Sequence, residues 1–440
     1  MHQKIPINLA LQSAFCPWIL VFWLTLVALP SHAAKGLEAE SVLSESQAVA
    51  LFFERNIDLI SAQYQIDRAE AVEWISSAIP NPVLSFGLNE LNGTVIGQSA
   101  SLGSQGLGYN IFLTQVMITA GKRTLRMESA RFGREAVEAD FKDTLRILLN
   151  RVRHTFYDLL LAQKSLQVAE ANMATFDRIA EANRLREETG DISAIERDRV
   201  DVERLKAKGE LDLARAAISS RRSDLAKLLN WPERSMDIVV QDSWPTAVGL
   251  YLQLKESDLV EKAYEVRPDL KAQELRVQQM GKEAELARRL VVSDLRLSGG
   301  YLHDGGNALI NSGAIMASAE VPVFYQYRGE VGKATADFND AHNSKEQVRN
   351  RIRKEVTSTY AVLNSTAAIV DRFKRMVISR IQRAKDAVEF AYAQGASGLI
   401  DLLDAERNYK AMMLEYYTAE RDRALAYSDL LMVVGEEPKP

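Results

Sequence analysis

Cysteine is almost absent from this 440-residue chain: Cys16 is the only one. It lies inside an apolar N-terminal run, so the rest of the chain can form neither disulfides nor thiolate metal sites. No cysteine follows that run closely, which argues against a lipid-anchored N-terminus. Histidine is scarce too. His154, His303 and His342 are the ones outside the N-terminal segment, and their separation fits no metal site. Basic blocks are missing, with 54 Lys and Arg against 59 Asp and Glu and a net charge of -5, so no nucleic-acid partner is expected. There is no nucleophile elbow, P-loop or HExxH motif, so neither an enzyme nor a cofactor is expected. Beyond residue 30 no stretch approaches the roughly 20 consecutive apolar residues of a membrane-spanning helix.

Proline is confined. The eleven prolines leave residues 83–231 and 323–437 without one, and both stretches are rich in Ala, Leu, Glu, Arg and Lys. Those residues favour helix, and an interior proline would cost about 3 kcal/mol. A helix over residues 122–187 would run on the order of 100 Å at 1.5 Å per residue. No compact domain is that wide, so the helices must form a coiled coil, a solenoid or a tube.

What the chain does have begins with an export signal. Lys4, an apolar run from Phe15 to Leu29, Pro30 and then Ser31-His32-Ala33 have the layout of a secretory signal over residues 1–33. After it, one pattern is written twice, over residues 34–242 and 243–440. Glu188-Thr189-Gly190 before Ile195 aligns with Ala393-Gln394-Gly395 before Ile400, a shift of 205. The same shift pairs Leu228 with Val433. Val152 pairs with Val356 at 204, and Ala62-Gln63 with Ala272-Gln273 at 210.

Stepping by three and four from Leu402 to Val433 meets only Arg423 as a departure from apolar, a coiled-coil seam. The first half repeats it from Val200 through Ala207, Leu211 and Ile218 to Leu228, with Arg197, Arg204 and Arg221 as departures. Other segments have a period of two: Leu84, Phe86 and Leu88; Leu295, Leu297 and Tyr301; Ile315, Ala317, Ala319 and Val321. Residues 111–116 make a fourth, weaker case. These predict strands with one apolar face, joined in pairs by glycine-rich loops over residues 92–108 and 304–313. Four such strands cannot close a membrane barrel alone, and open edges are not tolerated in lipid. Three copies would supply twelve strands and twelve long helices.

The fold class expected is thus mainly α with a small β part: duplicated helical hairpins plus four strands of a trimeric twelve-stranded barrel. At this point the chain resembles the TolC family of trimeric outer-membrane channels, over essentially its whole length after the signal. The most specific match is Tyr392-Ala-Gln-Gly395 followed by Leu399-Ile400-Asp401-Leu402-Leu403-Asp404-Ala405. It is similar to the family's helix-turn-helix at the periplasmic end. Asn81-Pro82 and Arg267-Pro268-Asp269-Leu270 resemble the CzcC-like branch that serves heavy-metal cation efflux.

The resemblance implies a channel of a tripartite efflux system in the outer membrane. Its partners would be a periplasmic adaptor docking at the tip turns of Gly190 and Gly395 and an inner-membrane pump of RND type. Cargo would be metal cations or drugs. Asp401, Asp404, Glu196 and Tyr392 would form the constriction and gate. Asp401 and Asp404 are one helical turn apart, so threefold symmetry would make acidic rings that favour cations and hold them weakly. Helix capping is the competing role for Asp401. Ser397 replaces a basic residue of the family, so Tyr392 to Glu196 is the gate contact left to expect. Two alternatives remain from sequence: a periplasmic coiled-coil adaptor or scaffold without a pore, and a channel of type I protein secretion.

Overall fold

A computed structural model describes residues 42–89, 108–304 and 310–436. The predicted signal over residues 1–33, most of the predicted loop over residues 92–108 and half of that over residues 304–313 lie outside them. The elements, in order, are α1 (Glu45–Arg55), α2 (Ile57–Ser77), β1 (Val83–Asn89), β2 (Gly108–Met117), α3 (Lys122–Glu188) and α4 (Ala194–Leu228). The second half contains α5 (Val248–Tyr251), α6 (Glu256–Val266), α7 (Pro268–Arg289), β3 (Leu295–Asp304), β4 (Ile310–Ala319), α8 (Arg328–Arg372), α9 (Ile378–Ala393) and α10 (Leu399–Val434). A π-turn over Phe373–Val377 joins α8 to α9. α3 has 67 residues, one more than proline absence and composition predict.

The two halves break their helices at matching points. Asn56 caps α2 with Oδ1 accepting from Leu59 N at 3.1 Å, and its Nδ2 donates to the Leu228 carbonyl at 2.9 Å. Arg267 occupies the same junction before α7, and its Nη1 donates to the Val433 carbonyl at 3.2 Å. The backbones agree as well, with φ/ψ of -69/125 at Asn56 and -65/124 at Arg267. Residues 56 and 267 are 211 apart, so the spatial register differs by one from the Ala62–Ala272 pairing. Leu228 and Val433 keep the shift of 205.

Arg267 is 2% exposed, with a two-pronged ion pair to Asp269 at 2.9 and 2.7 Å and a bond to Glu355 at 2.7 Å. Burial works to raise the Asp269 carboxyl, but the bonds and charge of Arg267 outweigh it and hold it below the usual carboxylate range. The Arg-Pro-Asp-Leu string is therefore a buried structural clamp.

The four strands form one antiparallel sheet in the order β1-β2-β3-β4. Its register sorts the side chains. Leu84, Ile111, Leu113, Leu297, Tyr301, Ile315 and Ala317 lie on one face, because Leu84 pairs with Leu113, Ile111 with Tyr301 and Leu297 with Ala317. Ser85, Asn110, Thr114, Ser298 and Ser312 lie on the other, where Thr114 and Ser298 hydroxyls meet at 2.8 Å. The apolar face is largely exposed, Ile315 at 92%.

β4 starts at Ile310, inside the predicted loop, and ends at Ala319, before Val321. A side chain at Gly300 would place its Cβ 2.4 Å from the Ile111 carbonyl and from the Phe112 ring, so β2 and β3 need glycine there. The outer edges of β1 and β4 have no strand partner among the described residues.

Helices continue the sheet as a layer. α3 packs against α2, α4, α7 and α10, and α8 against α7 and α10, with α9 against α10. One border of the layer is therefore β1, α2 and α4, all from the first half. The other is β4, α8 and α9, all from the second. Two apolar belts hold the middle: Phe52, Phe156, Leu160 and Leu225 in one, Leu259, Ile352, Leu363 and Leu430 in the other. Tyr157 donates to Glu45 at 2.6 Å in the first belt, and burial, then that carboxylate, push its hydroxyl pKa well up.

Candidate functional site at the hairpin tips

Each long hairpin, α3–α4 and α9–α10, turns on one glycine in the left-handed region. Gly190 has φ 82° and Gly395 φ 72°, where an L side chain is disfavoured. Asp191 N donates to the Arg186 carbonyl at 2.8 Å, and Ala396 N to the Ala391 carbonyl at 2.8 Å, bonds related by the shift of 205. This is the C-terminal cap in which the residue after the glycine bonds back five positions.

The helices that follow start alike. Glu196 is the third residue of α4, and its carboxylate accepts from Ser193 N at 3.4 Å while Ser193 Oγ accepts from Glu196 N. Asp401 is its counterpart, accepting from Gly398 N at 3.2 Å and from Ser397 Oγ at 3.3 Å. Capping thus accounts for the backbone role of both acids. Ser397 completes that cap.

Asp404 is exposed on the same side of α10 as Asp401. Its one ionic neighbour among the described residues is Arg407, at 3.6 Å. Arg407 also donates to Glu203 of α4 at 2.6 Å. Burial works to raise the Glu203 carboxyl, but bonds from Lys206 and Arg407 prevail and hold it below its ordinary range. Lys410 likewise donates to Glu210 of α4, at 2.7 and 2.8 Å. Ile195, Val202, Ile400 and Leu403 give the groove between α4 and α10 an apolar lining.

Tyr392 differs from expectation. Within the chain its hydroxyl donates to Asn183 Oδ1 of α3 at 2.7 Å, not to Glu196. The reason is geometric: Glu196 is engaged in its own cap, whereas Asn183 is fully buried at the α3–α9 contact. Arg186 reinforces the link. Its guanidinium lies 5.1 Å from the Tyr392 ring centroid and donates to the Ala393 carbonyl at 3.2 Å. Asn183 and Arg186 were invisible to motif reading, although both lie within two helical turns of Gly190. Phe176, Val200, Leu399 and Leu403 form the apolar core beneath the two turns.

The sheet, the two hairpins and their paired turns match a known family along most of the chain. The family model for outer membrane efflux proteins matches residues 48–230 and 259–436. The chain belongs to the outer membrane efflux protein family. It is similar to the cobalt-zinc-cadmium resistance protein CzcC of Cupriavidus metallidurans, 23% identical over 86% of this chain and 87% of that one. It is also similar to the probable outer membrane lipoprotein SilC of Salmonella typhimurium, 22% identical over 82% and 79%.

Among solved structures, CusC superimposes with a TM-score of 0.75 at 17% identity, over 89% of this chain and 92% of that one. VceC of Vibrio cholerae does so at 0.74 and 15%, over 89% and 96%. This efflux protein is accordingly an outer-membrane channel subunit, and its family is one of channel proteins. The adaptor-or-scaffold alternative gives way to the channel.

Proposed function

We propose that three copies of this chain form the outer-membrane duct of a tripartite system exporting heavy-metal cations. The observation that supports it most is the two-edged sheet with its faces sorted into apolar and polar. Each layer of the molecule ends in a first-half element on one border and a second-half element on the other, an arrangement suited to head-to-tail ring closure. The borders are sticky: Ile57, Ile60, Tyr64 and Ile75 of α2 and Val202, Leu205 and Leu213 of α4 are exposed. Two copies would give eight strands, a barrel just wide enough for its own side chains to fill. Three give twelve and leave a lumen lined by the Ser, Thr and Asn face.

In that assembly Asp401 and Asp404 form two acidic rings at the tip, Glu196 and Tyr392 flank them, and the rings favour passing cations over anions without holding a resident metal. The turns at Gly190 and Gly395 receive a periplasmic adaptor. An RND-type pump in the inner membrane supplies the energy, and the duct itself performs no chemistry. The name of the relative CzcC, a cobalt-zinc-cadmium resistance protein, favours efflux of metal cations over protein export. The repeats would be residues 34–242 and 243–440.

Two measurements test this. Purified protein in planar bilayers should conduct with cation preference, and Asp401→Asn with Asp404→Asn should reduce that preference several-fold. A strain lacking the protein should lose tolerance to cobalt, zinc or cadmium while keeping its tolerance to drugs. Loss of drug tolerance alone would move the cargo assignment to drugs, and absence of conductance in every variant would defeat the channel.

A further inference from the structure

The α9–α10 hairpin buries two carboxylates that the duct does not use. Glu420, fully buried, has two cations to itself, Lys374 at 2.6 Å and Arg423 at 2.5 Å. It accepts from the Tyr416 hydroxyl at 2.9 Å, although its Oε2, like Glu406 Oε1, lacks a well-aligned hydrogen bond. Glu406 lies two heptads nearer the tip and is 3% exposed, but is less well served. Lys385 Nζ is 3.3 Å from Glu406 Oε1 and also 3.3 Å from Glu389 Oε1. Two carboxylates thus share one ammonium, and Glu406 Oε1 makes that ion pair without a well-aligned hydrogen bond. Buried ions without full compensation are costly, so the set is one positive charge short.

No other group nearby fills the gap. On α9, Asp386 accepts from Gln382 at 2.8 Å. On α10, the Tyr409 ring stacks under Lys385 at 5.1 Å, while Arg407 and Lys410 are spent on Glu203 and Glu210 of α4. On α3, Asp177 and Glu181 are paired with Arg204 and Arg184. A proton is then the cheapest missing charge. Burial, with Glu389 beside it, pushes the Glu406 carboxyl up to about 7 against the opposing pull of Lys385. The two carboxylates in turn raise Lys385 in spite of its burial, so the lysine stays charged.

We propose that Glu406, Glu389 and Lys385 form a proton-operated clasp that holds α9 against α10 when protonated and loosens it when the proton leaves. α9 is the element placed to respond, because none of its residues is buried and Lys385 ties it to Glu406 of α10. The clasp belongs to one hairpin alone. At the shift of 205 the counterparts of Lys385, Glu389 and Glu406 are Ala180, Arg184 and the exposed Asp201. Its consequence for the duct, a tip more easily opened in alkaline than in acid surroundings, rests on the channel assignment. The clasp itself does not.

Amide hydrogen exchange of residues 378–393 in the intact detergent-solubilised protein, corrected for intrinsic rates, reads it directly. Between pH 6 and pH 8 the opening of α9 should rise about tenfold, the linkage of one proton whose pKa falls from about 7 to the ordinary carboxylate value on opening. Glu406→Gln should abolish that rise, and the α3–α4 hairpin should show none. Glu389→Gln, which leaves one carboxylate for one lysine, should move the rise to lower pH. A wild-type protein whose α9 exchanges alike at both pH values would overturn the clasp. So would a folded Glu406→Gln protein that keeps the dependence. Neither result depends on whether the protein conducts ions.

Discussion

The two long hairpins turn on matched glycines and caps but are held together by different physics. α3 and α4 meet over an apolar seam containing Val200, Ala207, Leu211 and Ile218, with Phe176 opposite. Their ion pairs, Arg197 to Glu187 at 2.8 Å and Arg204 to Asp177 at 2.6 Å, stay near the surface, where such pairs contribute about 0–1 kcal/mol. The second hairpin adds buried charge to an apolar cluster of Val370, Phe373 and Ala419. α10 buries Glu406 and Glu420, and lysines from α9 and from the π-turn reach in to meet them. Apolar packing holds over a range of pH, whereas buried charge fixes register and responds to protons. If the clasp holds, the first hairpin is a post and the second a part that a proton can release.

Cutting each half at its own kind of support should separate them. Phe176→Ala should cost about 3–5 kcal/mol through cavity formation in the first hairpin, read as a lowered midpoint of thermal unfolding in detergent. Arg267→Ala should cost a similar amount, because Asp269 would be left buried with only Arg351, at 3.3 Å, to meet its charge. Its first-half counterpart, Asn56→Ala, should cost only about 1 kcal/mol. Equal effects at these two junctions would contradict the difference drawn between the halves.

Acidity should divide the second half within itself, between the α6–α7 junction and α10. Asp269 is held below its ordinary pKa, so its contribution is present above that value and is lost as pH falls through the depressed one. Glu406 is held above, so its contribution is present in acid and lost as pH rises through about 7. Thermal midpoints measured from pH 3 to pH 9 should therefore show two slopes. Asp269→Asn should reduce the acid-side slope, to which Glu203 and Asp294 also contribute, and Glu406→Gln should flatten the neutral one.

Smaller effects test the likeness rather than the difference. Gly190→Ala and Gly395→Ala should each cost about 1–2 kcal/mol from backbone strain alone, because a Cβ at either meets nothing within 4 Å. Ser193→Ala should cost about 1 kcal/mol in α4. Ser397→Ala should cost less in α10, because Gly398 N still donates to Asp401.

Much of this architecture is legible in the sequence because it obeys periods. Proline absence and composition place α3 within one residue of its observed end, and alternation at Leu84, Phe86 and Leu88 identifies the apolar face of β1. What escapes is what breaks a period. The π-turn at Phe373 contains neither proline nor glycine, and it shifts the phase of the helix by a single residue. Glu406 and Glu420 each follow a seam alanine by one position, so a count of apolar residues reads them as solvated. They are buried because α10 packs between α3 and the α8–α9 stave, and so needs two seams rather than one.

At the tip, Tyr392 and Gly395 are recognisable as a motif, whereas the partner of Tyr392 is not. Asn183 lies 209 residues away, and only packing of α9 on α3 brings it there. The two spare acids, 14 residues apart on one helix, were the available signal for the second seam.

The account depends most on closure of the open sheet by copies of the same chain. The native mass of protein extracted by detergent from outer membranes tests this directly. Three protomers in one particle, dissociating only with loss of the sheet, is the predicted result. A protein recovered as a soluble monomer without detergent would contradict it.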